Sequence, residues 1–224
     1  MPLSPNDDLL VNELEAAVLV DGRFERLRLK NFDALSDVKR GCFSLVFRAY
    51  DRTTSQDVAL KFYSIDSAYY NDKYRRAAFQ REHEILQALT GGVRCLQVIS
   101  PYSEFQFSLP VASGARVTIP CPYFAIEWID ADIDEYFLAQ QNFDAATKLE
   151  LFNEIVLAVE ALHRRGVCHR DLKPDNLRLR GTGAGRAIVA IDLGTAAKST
   201  STPLLAQYGH PAGAPAYAAP EVRC

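Results

Sequence analysis

The residues best equipped for chemistry lie in the run 169–176, whose sequence is HRDLKPDN. The carboxylate of Asp171 can accept the proton of a hydroxyl group, as a general base does. The amide of Asn176, five residues further on, offers one oxygen acceptor and an NH₂ donor. This run is therefore the strongest candidate for a catalytic segment in the chain.

The composition is that of an ordinary globular protein of 224 residues. Hydrophobic residues make up 48% and charged residues 24%, which argues against disorder and against a coiled coil. A net charge of −3 gives no basic field, so we expect no nucleic-acid partner. No apolar run approaches the roughly 18 residues that a membrane span needs, so we expect none.

The N-terminus and the cysteines bear on the compartment. The first residues lack the basic start and the apolar stretch of a signal peptide. The five cysteines are odd in number and form no C-x-x-C pair. Both observations favour a reducing, cytoplasmic location.

Strand patterns come first along the chain and helical patterns later, which predicts an α+β fold. Alternating or continuous apolar residues predict strands over 40–50, 56–63, within 98–129, 177–180 and 187–191. Apolar residues at helical spacing predict helices within 1–16 and over 67–89 and 144–163. The apolar positions of the last helix spread over about half its circumference, so we expect it to have neighbours on more than one side.

The run 169–176 resembles the catalytic loop H-R-D-x-x-x-x-N of eukaryotic-type protein kinases. The resemblance implies that Asp171 is the catalytic base, that Lys173 is a cation near the transferred phosphoryl group, and that Asn176 is a metal ligand. The pair Lys173-Pro174 resembles the serine/threonine branch of the family rather than the tyrosine branch.

Two further segments resemble family motifs in the expected order. The run 191–194 (IDLG) is similar to D-F-G, which implies that Asp192 holds magnesium at the phosphates. The run 58–61 (VALK) matches V-A-I-K, which implies that Lys61 contacts the α- and β-phosphates. Its partner would be a glutamate on the following helix, with Glu82 as the first candidate and Glu84 as the alternative.

The nucleotide site implied by the resemblance departs from the family pattern. The run 39–46 (KRGCFSLV) aligns with G-x-G-x-x-G-x-V but keeps only the middle glycine and the valine. Arg178 stands where an aliphatic residue usually lies beneath the adenine, and its guanidinium could stack on that ring. Ile126 would be the gatekeeper residue. The implied nucleotide-binding residues are Gly41, Cys42, Phe43, Ser44, Val46, Ala59, Lys61, Ile126, Glu127, Ile129 and Arg178.

The run 213–221 (GAPAYAAPE) resembles the end of the kinase activation segment. Ala214 stands where a threonine is usual, which removes a hydroxyl expected near Asp171 and Lys173. Four hydroxyl residues, 199–202, precede it, and Arg170 could pair with a phosphate on one of them.

The resemblance implies a bilobal protein-kinase-like fold of class α+β. Residues 1–22 would be an N-terminal extension, 23–129 a β-rich N-lobe with one main helix and the hinge, and 130–224 a partial helical C-lobe. The implied function is transfer of the γ-phosphate of ATP, with Mg²⁺, to a serine or threonine hydroxyl of a protein substrate. Two alternatives stay open: a pseudokinase that binds nucleotide or partners without transferring phosphate, and a small-molecule kinase of the antibiotic-phosphotransferase type.

The chain ends three residues after Glu221, whereas the resemblance implies several further helices. We therefore expect the apolar face of the helix 144–163 to lack cover. A second polypeptide or a second copy of the chain would complete that face, unless the chain is a shortened form.

Overall fold

The computed structural model describes residues 2–41, 43–111, 114–133, 136, 144–181, 185–201, 213–214 and 216–218. The chain divides into two compact units. The first contains residues 1–79 and 98–128, and the second contains residues 80–97 and 129–224. Strands dominate the first unit, and the longest helix of the described residues lies in the second, which confirms the α+β class.

In chain order, the elements of the first unit are α1 (Pro5–Ala16), β1 (Phe24–Leu29), β2 (Phe32–Asp33), β3 (Val38–Lys39), β4 (Ser44–Asp51), β5 (Gln56–Tyr63), the first residues of α2 (Lys73–Leu89), β6 (Ser103–Pro110) and β7 (Arg116–Glu127). Five of the strands form one antiparallel sheet in the order β1-β4-β5-β7-β6. A small separate hairpin pairs β2 with β3.

Helix α1 covers one face of this sheet. The side chain of Ser4 caps the helix by accepting a hydrogen bond from the amide of Asp7, and Pro5 occupies the first turn, where a missing N–H costs nothing. Leu10 and Leu14 are fully buried. They join a core with apolar side chains of the strands, among them Phe24, Leu27, Leu45, Phe47, Leu60, Phe62, Phe107 and Ala125. The helix predicted within residues 1–16 is therefore present, and its apolar face is buried.

The second unit contains short strands and one long helix. The elements of this unit are the rest of α2, β8 (Ala131–Asp132), α3 (Ala145–His163), β9 (Val167–Cys168), a 3₁₀ turn (Pro174–Asn176), β10 (Leu177–Arg180), β11 (Ala187–Ala190), a second 3₁₀ turn (Leu193–Thr195) and β12 (Ala197–Lys198). Three of the strands form a sheet in the order β11-β10-β8, and β9 pairs with β12. Among the described residues, no helix is long and apolar enough to cross a membrane.

Helix α3 matches the predicted helix 144–163, with Asp144 as its cap: the carboxylate accepts a hydrogen bond from the amide of Thr147. Leu151, Ala158 and Leu162 are buried, and the helix packs against β11. Other apolar side chains of the same helix are exposed, namely Leu149, Phe152 and Val156. One part of its broad apolar surface is therefore uncovered within the described residues.

Two predicted boundaries were wrong for identifiable reasons. The strand predicted from residue 40 begins at Ser44, because the side chain of Asn31 donates hydrogen bonds to the carbonyls of Arg40 and Ser44 and holds the connection between β3 and β4 as a loop. The helix predicted from residue 67 begins at Lys73. The carboxylate of Asp66 accepts a hydrogen bond from the amide of Ala68, which forms a turn before the helix. The carboxylate of Asp72 accepts a hydrogen bond from the amide of Arg75 and thereby caps the first turn of α2.

The buried carboxylate of Asp7 joins α1 to the residues that follow β5. Asp7 is only 1% exposed and accepts hydrogen bonds from the hydroxyl of Ser64 at 2.7 Å and from the amide of Ile65 at 2.8 Å. The ammonium of Lys39 lies 3.8 Å from the same carboxylate and is also buried. Lys39 is therefore held by the N-terminal helix, and its charge is balanced inside the unit.

We expect the substitution Asp7→Ala to lower the free energy of unfolding by about 1–3 kcal/mol, because it leaves the Ser64 hydroxyl and the Ile65 amide without their acceptor. Thermal unfolding followed by circular dichroism measures the effect. The neighbouring substitution Asp8→Ala, at an exposed position of the same helical turn, is the matched control and should cost less. Equal melting temperatures for the two variants would contradict this role of Asp7.

Candidate active site

The carboxylate of Asp171 is the centre of the predicted site and is bound by three donors. The amide nitrogen of Asn176 donates to Oδ2 at 3.0 Å and also to the main-chain oxygen of Asp171 at 2.8 Å. The ammonium of Lys173 lies 3.2 Å from Oδ2. The main-chain amide of Ala214 donates to Oδ1 at 2.6 Å. The structure thus brings the predicted base, its lysine and its asparagine together.

Local chain geometry explains why these side chains meet. Pro174 fits the first position of the 3₁₀ turn Pro174–Asn176, where a residue without an N–H is tolerated. The turn folds the chain back, so that the buried side chain of Asn176 reaches Asp171. The amide of Ile191 donates to the carbonyl of Asn176 at 2.9 Å, which fixes the predicted catalytic loop to the segment that leads into Asp192.

His169 links the same loop to the end of β11. Its Nδ1 accepts a hydrogen bond from the amide of Asp171 at 3.3 Å, so Nε2 carries the proton and donates to the carbonyl of Ile191 at 2.8 Å. The ring is 4% exposed, and burial lowers its pKa below the ordinary value of 6.5. His169 is therefore a neutral structural link between the loop and the strand end.

Lys173 keeps its positive charge in this site. Partial burial lowers the pKa of Lys173, but its hydrogen bond to Asp171 and the nearby carboxylate charges outweigh burial, so the net pKa is raised above 10.5. A permanent ammonium at this position can stabilise negative charge that develops on a transferred group.

The segment 191–194 makes a tight left-handed turn. Asp192 has φ of 60° and ψ of 69°, and the side chain of Leu193 is completely buried. A Cβ added to Gly194 would lie 3.6 Å from a carboxylate oxygen of Glu82 and 3.7 Å from Oδ1 of Asp192. The Glu82 carboxylate therefore lies next to this turn. Glu82 is 2% exposed whereas Glu84 is exposed, which favours Glu82 of the two glutamates predicted.

Four predicted nucleotide-binding residues share one face of the five-stranded sheet. Val46 is paired with Lys61 across β4 and β5, and Lys61 is paired with Phe124 across β5 and β7. Ala59, two residues before Lys61, is paired with Ile126. Because directly paired residues and residues two apart lie on the same side of a sheet, Val46, Ala59, Lys61 and Ile126 lie together. This is the face opposite to the one that α1 covers.

The predicted phosphate loop is only partly described. Gly41 is exposed with φ of 82°, a conformation that favours glycine, and Ser44 is the buried first residue of β4. The ring of Phe43 meets the ring of Tyr74 edge-on, with centroids 6.0 Å apart. Cys42 lies outside the described residues. A role for these residues at phosphate stays a prediction.

The predicted adenine contacts occupy both units. Glu127 ends β7 in the first unit and is half-buried, and Ile129 is half-buried in the second. The guanidinium of Arg178 lies 2.8 Å from the carboxylate of Asp132, its neighbour across β10 and β8. This ion pair gives the Arg178 charge a partner within its own unit, and its stacking on adenine stays a prediction.

A family model described as the protein kinase domain matches residues 32–223. The chain belongs to the protein kinase family. The predicted family and its fold class are therefore confirmed.

Relatives of this kinase domain include proteins from animals and bacteria. The interferon-induced, double-stranded RNA-activated protein kinase of Rattus norvegicus is 29% identical over 178 residues, which cover 78% of this chain and 32% of that protein. The serine/threonine-protein kinase PknD of Chlamydia caviae is 30% identical over 170 residues, covering 75% of this chain and 17% of that protein. The serine/threonine-protein kinase PknK of Mycobacterium tuberculosis is 29% identical over 195 residues, covering 85% and 15%. The chain thus spans a third or less of the length of these relatives.

The donor set of the kinase domain fits magnesium held with phosphate. The described residues contain no cluster of three or more histidine, cysteine, aspartate or glutamate side chains that could bind a metal alone. Asn176 and Asp192 offer one amide and one carboxylate, which is the sparse oxygen set that Mg²⁺ accepts when phosphate oxygens and water complete its shell. Both described hydrogen bonds of the Asn176 amide use its nitrogen, and the amide oxygen is the atom suited to a metal.

The kinase motifs did not single out two contacts of the activation segment. Arg81 of α2 donates a hydrogen bond to the hydroxyl of Ser201 at 2.7 Å, whereas the sequence suggested Arg170 for the hydroxyl cluster. The second contact is the main-chain amide of Ala214 on Asp171. A side-chain motif cannot reveal a main-chain donor. The sequence signal for the contact of the Ala214 amide is the glycine before it, Gly213. Thr202 and the A-P-E residues 219–221 lie outside the described residues.

The neutral, buried His169 predicts an acid-sensitive stability. Because burial lowers its pKa in the folded protein, the unfolded protein binds a proton more readily just below pH 6.5, and stability falls as the pH falls through that window. We expect His169→Gln to show a smaller change in melting temperature than the wild type between about pH 7.5 and 5.5. His163→Gln, at an exposed position of α3, is the control and should keep the wild-type pH dependence. An unchanged slope in His169→Gln would contradict the assignment.

Proposed function

We propose that this kinase domain transfers the γ-phosphate of ATP, with Mg²⁺, to a serine or threonine hydroxyl of a protein substrate. The observation that carries the proposal is the arrangement around Asp171, whose carboxylate is held by Asn176, Lys173 and the main chain at Ala214. A fixed carboxylate beside a permanent ammonium suits deprotonation or orientation of a hydroxyl during phosphoryl transfer.

Each group would have one task. Asp171 orients the attacking hydroxyl and accepts its proton, and Lys173 stabilises the charge on the transferred phosphoryl group. Asn176 and Asp192 would hold magnesium, which neutralises phosphate charge when it is bound. Val46, Ala59 and Ile126 offer an apolar surface for adenine on the face that also carries Lys61. Catalysis of this kind works through placement and charge rather than through a covalent intermediate.

The departures from the family motifs are compatible with activity. Leu193 is completely buried, so an apolar side chain still fills the position of the usual phenylalanine. Ala214 lacks a hydroxyl, yet its main-chain amide contacts Asp171. These observations support an active enzyme over a pseudokinase. The Lys173-Pro174 pair and the sequence similarity to serine/threonine-protein kinases support a protein substrate over a small molecule.

We also propose a cytoplasmic location, because Cys95, Cys121 and Cys168 are free thiols in the described part of the chain. Burial raises the pKa of Cys121 to about 12 and also raises that of Cys95, so both thiols are unreactive in the folded protein.

The substitution Asp171→Asn should lower the rate of phosphoryl transfer by about 10²–10⁴-fold, because it removes the base, while nucleotide binding persists. Transfer of labelled phosphate from ATP to a generic acceptor protein measures the first effect, and the rise in melting temperature with Mg-ATP measures the second. Lys61→Met should reduce both. A wild type that is stabilised by Mg-ATP but transfers no phosphate would instead support the pseudokinase alternative.

A second polypeptide or a second copy of the chain is predicted to cover the apolar face of α3. The exposed side chains of Leu149, Phe152 and Val156 support this prediction. These residues lie within one turn or two of each other on the helix and form an apolar strip. We expect Phe152→Ser to reduce association of the purified chain in sedimentation experiments. Thr147→Ser, outside this strip, serves as the control. A wild type that is monomeric at high concentration would rule out completion by a second copy.

A further inference from the structure

The main chain at Gly213 and Ala214 makes the closest described hydrogen bond to the catalytic carboxylate. The amide of Ala214 donates to Oδ1 of Asp171 at 2.6 Å. This contact joins two segments 43 residues apart in sequence. We propose that the peptide bond between Gly213 and Ala214 is a positioning element, which orients the carboxylate of Asp171 and leaves one acceptor site on Oδ1 for the substrate hydroxyl. The inference rests on the proposed phosphoryl transfer.

A count of acceptor sites supports this division of the carboxylate. An ionised carboxylate has about four lone-pair sites, two on each oxygen. Oδ2 receives the amide nitrogen of Asn176 and the ammonium of Lys173, so both of its sites are used. Among the described residues, Oδ1 receives the amide of Ala214 alone, which leaves one site. The carboxylate side chain is 11% exposed, so a hydroxyl has limited but real access to it.

Glycine at position 213 is required for this close approach. Gly213 has φ of 77°, which side-chain-bearing residues rarely adopt. A Cβ there would lie 2.3 Å from the carbonyl oxygen of Arg170 and 3.3 Å from Oδ1 of Asp171. The nearer obstacle is a main-chain atom, which cannot move aside by rotating a side chain. Arg170 itself has φ of 67°, so the loop has little freedom to adjust.

A main-chain donor also explains why alanine is compatible with position 214. A side-chain hydroxyl depends on the residue type, whereas the N–H is present in every residue except proline. The orientation of Asp171 therefore depends on the backbone of this segment and on the glycine before it. Any change that moves the segment also moves the donor away from the base.

The decisive variants are Gly213→Ala and replacement of Ala214 by lactic acid during in vitro translation, which exchanges the N–H for an ester oxygen. We expect either change to lower kcat by about 10–10²-fold, the effect of a misplaced reacting group. The KM for ATP and the thermal stabilisation by Mg-ATP should stay at wild-type values. Gly185→Ala is the matched control, because a Cβ at Gly185 meets nothing within 4 Å.

A readout that does not need activity separates this inference from the proposed function. With ¹⁵N-alanine labelling, the Ala214 amide is identified by its loss in Ala214→Gly. In Asp171→Asn the signal should move upfield and exchange faster, because a charged acceptor has been replaced by a neutral one. If the chemical shift and the exchange rate of the Ala214 amide are unchanged in Asp171→Asn, the inference is overturned, whether or not the wild type transfers phosphate.

Kinetic results decide in the same way for an active wild type. Unchanged kcat in both Gly213→Ala and the ester variant overturns the positioning role. A higher kcat also overturns it, since the amide would then act as a brake on Asp171. A lower kcat in the two variants, with Gly185→Ala at the wild-type rate and Mg-ATP stabilisation retained, supports it.

Discussion

A carboxylate that acts as a catalytic base, the role proposed for Asp171, has to be held in one orientation and still keep an acceptor site for its substrate. At Asp171 this is achieved by donors of three kinds: a side-chain amide, an ammonium and a main-chain N–H. The amide and the ammonium come from the run 169–176, and the N–H comes from position 214, so these two distant stretches of chain must be in place together. The short β9–β12 pairing and the link from Ile191 to Asn176 hold these stretches in register.

Two of the six described non-glycine residues with positive φ lie at the same place. Arg170 and Asp192 both have positive φ although neither is glycine, a conformation that costs about 1–3 kcal/mol at each residue. The buried hydrogen bonds of His169 and the packing of Leu193 compensate for this cost. The resulting loop has few alternative conformations, which is a requirement when catalysis depends on placement rather than on reactive side chains.

The two faces of the five-stranded sheet in the first unit have different roles. Helix α1 buries one face with Leu10 and Leu14, and the strand register leaves Val46, Ala59, Lys61 and Ile126 on the other. Asp7 holds Lys39 and the end of β5, so the N-terminal helix is part of the structure that supports the loop before β4. Helix α1, which lies within the range 1–22 expected as an extension, contributes Leu10 and Leu14 to the core of this unit.

Motif order and periodicity were sufficient to predict the family, the α+β class and the helix that ends at His163. They also predicted that Asp171, Lys173 and Asn176 lie together, because local spacing alone brings these three side chains together. They failed at the start of β4 and of α2, where the side chains of Asn31, Asp66 and Asp72 capture main-chain groups. Helical spacing already ranked Glu82 before Glu84, and Glu82 is the buried one of the two. Tertiary structure alone decided that the amide of Ala214 binds Asp171. A main-chain hydrogen bond between distant segments depends on how the chain packs, and the residue type at position 214 does not encode it.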